Sequence, residues 1–128
     1  MDTVYYNKLV RDNIPDIIRN NGRVPNCVVS DDIIHHLKMK LDEETAEFDE
    51  VYKYFSSLDK DQRKDKEHLL IEKLVDVVEV CRSMADELGF PQVDFCNCVE
   101  EKKARRGAFD KKIVLVSVDT VDTKTTEN

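Results

Sequence analysis

The stretch Glu67-His68-Leu69-Leu70-Ile71-Glu72-Lys73-Leu74-Val75-Asp76-Val77-Val78-Glu79-Val80-Cys81-Arg82-Ser83-Met84-Ala85-Asp86-Glu87-Leu88 decides the fold. Turned at ~100° per residue with Leu74 at zero, it places Leu70, Val77, Val78, Cys81, Met84, Ala85 and Leu88 within about 80° of Leu74, the pattern of an amphipathic helix. The apolar sector does not stop there. Ile71 and Val75 extend it on one flank and Leu69 and Val80 on the other. What remains polar is a narrow stripe of Glu72, Asp76, Glu79 and Ser83, with Lys73 at its edge. A helix apolar on most sides belongs inside a bundle, so carboxylates along it are either costly or functional.

A second acidic group lies on the preceding helix, expected from about Asp31 to Phe55, whose core stripe is Ile34, Leu37, Leu41, Phe48, Tyr52 and Phe55. Glu44 and Glu47 sit one turn apart at the margin of that stripe, while Glu43 and Glu50 point more nearly away. Antiparallel packing of the two helices sets Glu44 and Glu47 against Glu72, Asp76 and Glu79. Buried carboxylates gathered this way cost several kcal/mol each if uncompensated, and a cation is the natural compensation. Oxygen ligands without cysteine or histidine at ligand spacing favour Mg²⁺ or Mn²⁺ over Zn²⁺. The Glu-x-x-His pairs of di-iron bundles are missing. Mg²⁺ held by a few carboxylates keeps positions for water and substrate phosphates, which points to phosphoryl or nucleotidyl chemistry. The ordinary alternative is a solvated acidic face, common where 37% of residues are charged. Against it stand the apolar flanks and the matching Glu pair.

The 128 residues suit one domain, expected over 1–118, of a size at which helical hairpins pair into homodimers or higher homo-oligomers. A net charge of −7 argues against non-specific nucleic-acid binding. No apolar run reaches membrane-spanning length and the N-terminus lacks a signal-peptide core, so a cytoplasmic protein without membrane or nucleic-acid partners is expected. Cys27, Cys81, Cys96 and Cys98 have neither zinc nor C-x-x-C redox spacing. His68, one turn before Glu72, reads as an ordinary helix histidine.

Along the chain, 3–10 read as a short extended segment and Asp12 to Asn20 as a short helix with Pro15 in its first turn and Gly22 beyond its end. Ser30 or Asp31 caps the first long helix. Ser56 to Lys66 is a hairpin loop or a helical extension. Gly89 ends the second long helix and a third runs from about Pro91 to Arg105. The β-branched run Ile113 to Val118 is a candidate strand to pair with the N-terminal segment, and the residues after Asp119 read as a tail. Two basic clusters, Lys8 with Arg11 and Lys102, Lys103, Arg105 with Arg106, would meet if those strands paired and could clamp phosphates. The competing explanation for the second cluster is the helix dipole, which favours cations in a last turn.

Four ordered motifs carry a resemblance: Tyr6-Asn7-Lys8-Leu9-Val10-Arg11-Asp12 with Ile14-Pro15; Lys40-Leu41-Asp42-Glu43-Glu44-Thr45-Ala46-Glu47; Leu74-Val75-Asp76-Val77-Val78-Glu79-Val80; and Arg106-Gly107-Ala108-Phe109. Together they resemble the phosphoribosyl-ATP pyrophosphohydrolase-like branch of the MazG-type nucleotide pyrophosphohydrolases. The resemblance implies a mainly α fold, a helical bundle of the all-α nucleotide pyrophosphohydrolase type, here with short terminal β segments. It also implies an oligomer that uses Mg²⁺, or Mn²⁺, to split a nucleoside triphosphate into monophosphate and pyrophosphate. The Glu-Glu-x-x-Glu motif maps onto Glu43, Glu44 and Glu47, with Glu44 and Glu47 as ligands. Glu-x-x-Asp maps onto Lys73 to Asp76, where Asp76 matches and Lys73 departs. An ammonium cannot coordinate Mg²⁺, so either Glu72 or Glu79 takes its place, completing the metal shell or acting as base, or the metal site is weakened. The expected set is therefore Glu44, Glu47, Glu72 and Asp76 at the metal, Glu43, Glu72 and Glu79 in catalysis, and Lys8, Arg11, Lys73, Lys103 and Arg106 on the nucleotide. Lys73 also admits a protein that binds nucleotides without hydrolysing them.

Overall fold

A computed structural model describes residues 2–121 as a mainly helical protein of four helices: α1 (Ile14–Asn20), α2 (Ile33–Ser56), α3 (Lys60–Glu87) and α4 (Gln92–Arg106). The chain divides into two compact units. Met1–Phe95 contains α1 to α3 and the first residues of α4, and the second runs from Cys96 onward. No helix is long and apolar enough to cross a membrane.

Local chemistry sets the helix ends. Asp32 caps α2 by accepting from the His35 N–H at 3.3 Å. Asp59 and Gln62 form a reciprocal capping box at the start of α3, each side chain accepting the other's backbone N–H at 2.9 and 3.1 Å. This box starts α3 at Lys60, so the charged residues 60–66 are a helical extension and not a loop. Their Lys, Gln and Arg residues suit a solvated helix. At the other end Gly89 takes φ +90° and the Phe90 N–H donates to the Ala85 carbonyl at 2.9 Å, a Schellman closure that fixes the direction in which the chain leaves α3.

The first unit is built on the antiparallel packing of α2 against α3. Arg63, early in α3, donates to the carbonyls of Phe55 and Ser56 at the end of α2. Lys73 reaches Glu47 further along both helices. Leu37 and Val80 are the buried apolar residues, and Glu44 is buried with them.

Two details of the packing differ from the sequence expectation. Glu44 is not at the margin of the α2 stripe but within it, one turn from both Leu41 and Phe48. On α3 the face against α2 is centred on Val80, Val77 and Lys73, whereas Leu74 and Val78, expected in the core, are 44% and 45% exposed. A helix apolar almost all round offers several faces of similar hydrophobicity, and α2 takes the one that lets Lys73 meet Glu47. The Leu74 side, with Ile71 and Val75, is left uncovered.

The terminal β segments are a further correction. Among the described residues no strand forms, and 3–10 and 113–118 make no ladder hydrogen bonds. The β-branched run has the propensity but no neighbouring strand, and propensity alone does not create a sheet. Of the tail expected from Asp119, residues 122–128 lie outside the described residues.

Candidate metal and phosphate site

Glu43, Glu44 and Glu47 project from successive turns of α2 so that one carboxylate oxygen of each lies within 4.8 Å of the others. Among the described residues this is the one group of potential metal ligands gathered so closely. Glu44 is 7% exposed, and its Oε1 is buried with no hydrogen-bond partner. Leaving such an acceptor unpaired costs about 1–3 kcal/mol, and an oxygen ligand in that condition fits a hard divalent cation.

Cations fixed to the chain surround the cluster. Lys40, one turn before the glutamates, lies 3.2 Å from Glu43 and 3.4 Å from Glu44 Oε2. The extended segment before α1 contributes two more. Asn7 takes φ +48°, a left-handed conformation that asparagine tolerates better than most side chains, and just after it Lys8 lies 3.2 Å from Glu43. Arg11 donates to Asp76 Oδ1 at 2.7 Å and also to Glu79. From α3, Lys73 Nζ donates to Glu47 Oε1 at 2.7 Å and lies 3.8 Å from Asp76 Oδ2.

The protonation energetics follow these contacts. Hydrogen bonds donated to Glu79 and then to Asp76 hold Arg11 still more firmly protonated than a free guanidinium. The Arg11 hydrogen bond, then its charge, lowers Glu79 below the usual carboxylate range. For Glu43, burial pushes the carboxyl upward, but hydrogen bonds from Lys8 and Lys40 together outweigh it and the net shift is down. The Glu47 hydrogen bond raises Lys73.

The expected site residues thus fall into three groups. Glu43 and Glu44 pair with Lys40, and Glu43 also with Lys8, while Glu47, Asp76 and Glu79 pair with Lys73 and Arg11; the closeness of Glu43, Glu44 and Glu47 joins the two sets into one charged network. Glu72 is exposed, makes no ion pair among the described residues, and lines an open cleft of about 370 Å³ with Arg11, Ile71, Lys73, Val75 and Asp76. Lys103 and Arg106 lie in the last turn of α4, within the second unit, where Lys103 pairs with Glu100 at 3.9 Å. Sequence reasoning did not assign a role to Lys40. The signal was its i, i+3 and i, i+4 spacing to Glu43 and Glu44.

Chemically, the network is an acidic centre held ready by exchangeable counter-charges. It suits a cation, a polyphosphate, or both together. The chain matches no family model, no curated protein and no solved structure.

Proposed function

We propose that the chain is a Mg²⁺-dependent nucleoside triphosphate pyrophosphohydrolase of the MazG type, of the phosphoribosyl-ATP pyrophosphohydrolase-like branch. The observation that carries the reading is the buried Glu44 carboxylate with an unpaired oxygen between Glu43 and Glu47. Glu44, Glu47 and Asp76 are the residues that would hold the metal, with Glu72 in reach of the same region. Bound Mg²⁺ supplies charge neutralisation and orientation for the polyphosphate.

The chain's own residues then have separable tasks. Lys8 and Arg11, which pair with Glu43, Asp76 and Glu79, turn to the phosphates when the metal engages the acidic centre. Glu72, without a cation of its own, accepts the proton of the attacking water. The water oxygen bonds to one of the two phosphorus atoms of the α,β bridge, the bond from that phosphorus to the bridging oxygen breaks, and monophosphate and pyrophosphate part. Glu43, kept ionised by Lys40, orients the water by accepting its second hydrogen.

A second copy of the chain covers the exposed Ile71, Leu74, Val75 and Val78 face of α3, giving a homodimer. In the test, Glu44→Ala and Asp76→Ala lower pyrophosphate release by more than about 100-fold with the helical fold intact. Unchanged release in both removes these residues from the mechanism. Lys73 favours one alternative, a nucleotide-binding protein without catalysis, because its ammonium already bridges Glu47 and Asp76. Mg²⁺-independent nucleotide binding with no product identifies that case.

A further inference from the structure

The polar stripe of α3 does not end at the carboxylates. Ser83 lies seven residues beyond Asp76, two turns along the same face and about 10 Å further on, and Asp86 follows one turn later. There the stripe enters an open cleft of about 320 Å³ lined by Arg82, Ser83, Asp86, Phe90, Gln92 and Phe95, a volume within the range of small-molecule sites. All six residues belong to the first compact unit.

Two features make this cleft unlike the acidic centre. Its aromatic walls are set by backbone chemistry. The Schellman bond to Ala85 fixes Phe90, and the Phe95 N–H donates to the Pro91 carbonyl at 3.1 Å in the first turn of α4. Three of its polar side chains are also uncommitted: among the described residues those of Arg82, Ser83 and Asp86 make no hydrogen bond or ion pair, although Arg82 and Asp86 are one turn apart with opposite charge. Aromatic faces beside unpaired donors and acceptors are what a planar heterocycle requires.

We propose that this cleft binds the base of the nucleotide whose phosphates lie at Asp76 and Glu79. The proposal rests on the nucleotide reading above and gives it a substrate class. The base stacks on Phe90 and Phe95. Arg82 donates to an exocyclic oxygen and Asp86 accepts from the ring N–H beside it, the edge that guanine and uracil present and adenine lacks. The two-turn separation along α3 lets one ligand span both sites.

The test compares binding, in Mg²⁺, of inorganic tripolyphosphate and of the α,β-imido analogues of GTP and ATP by isothermal titration. The GTP analogue is expected to bind at least about tenfold tighter than tripolyphosphate, and tighter than the ATP analogue. Phe90→Ala, at a position 58% exposed and therefore compatible with folding, is expected to remove that advantage while leaving tripolyphosphate affinity unchanged. Asp86→Asn is expected to narrow the preference for the GTP analogue over the ATP analogue. Equal binding of GTP analogue and tripolyphosphate, equal effects of Phe90→Ala on both, or a preference for the ATP analogue overturns the proposal while the nucleotide reading stands. Absence of binding by all three overturns that reading and the proposal together.

Discussion

Lys73 Nζ lies 2.7 Å from Glu47 Oε1 and 3.8 Å from Asp76 Oδ2, so an ammonium fixed to α3 joins the acidic groups of both long helices. Its charge stabilises carboxylates that would otherwise repel, and it competes with any other cation for them. Both side chains are partly solvated, 28% and 37% exposed, and the pair contributes about 0.2–1 kcal/mol.

Replacing Lys73 by methionine separates these effects. Lys73→Met is expected to lower stability by less than about 1 kcal/mol and to strengthen Mn²⁺ binding severalfold, read by electron paramagnetic resonance titration. Unaltered Mn²⁺ affinity would show that Lys73 does not share the cation region.

Glu44 is expected to oppose stability where it serves function. It occupies the α2 core stripe between Leu41 and Phe48 with one oxygen unpaired. Glu44→Leu keeps Lys40 paired with Glu43 and removes the orphan acceptor, so thermal unfolding should shift upward, by about 1–3 kcal/mol of stability, while metal binding is lost. A lower melting temperature contradicts this account of the stripe.

The segment before α1 is tied down by charge. Glu43 and Glu79 have carboxyl groups lowered below their ordinary values. A lowered folded-state pKa stabilises the paired form above the ordinary carboxylate value near 4.3, and that stabilisation is lost as pH falls through the folded values. Lys8 and Arg11 should therefore stay docked from neutral pH to about pH 4.5 and detach below it, which the side-chain guanidinium resonances of Arg11 would report. Detachment beginning above pH 6 would contradict these pairings.

Mg²⁺ should release the same segment at neutral pH, because it competes with Arg11 for Asp76 and its charge beside Glu44 weakens the neighbouring Lys8–Glu43 pair. Trypsin cleavage after Lys8 and Arg11 is expected to accelerate on adding Mg²⁺ and to slow again when tripolyphosphate is added. A cleavage rate indifferent to both ligands rules out the exchange of partners.

The exposed α3 face gives a test of association. Val78→Glu should convert a dimer to monomer in sedimentation velocity without loss of helicity. A wild-type protein already monomeric at all concentrations would remove the second copy from the account.

Much of this architecture is legible in the residue pattern, for identifiable reasons. The i, i+3, i+4 spacing of Ile34, Leu37 and Leu41 locates α2. The charged residues 60–66 carry no apolar period, so only the Asp59–Gln62 box reveals that α3 starts before them. Which face of α3 meets α2 was hidden, since Leu74 and Val80 are equally apolar and the choice turns on the Lys73–Glu47 pair across the interface. Glu44 was placed at the stripe's edge because a carboxylate is ordinarily a surface group. Lys8 and Arg11 pair with Glu43 and Asp76, residues 35 and 65 positions away, and no local spacing encodes such a pairing.

The most direct measurement is pyrophosphate release from a panel of canonical and modified nucleoside triphosphates, with Mg²⁺, with Mn²⁺, and with a chelator. The account predicts metal-dependent release of pyrophosphate and nucleoside monophosphate in equal amounts, abolished by the chelator. Nucleotide binding without release from any member of the panel would contradict it and leave a protein that holds nucleotides without cleaving them.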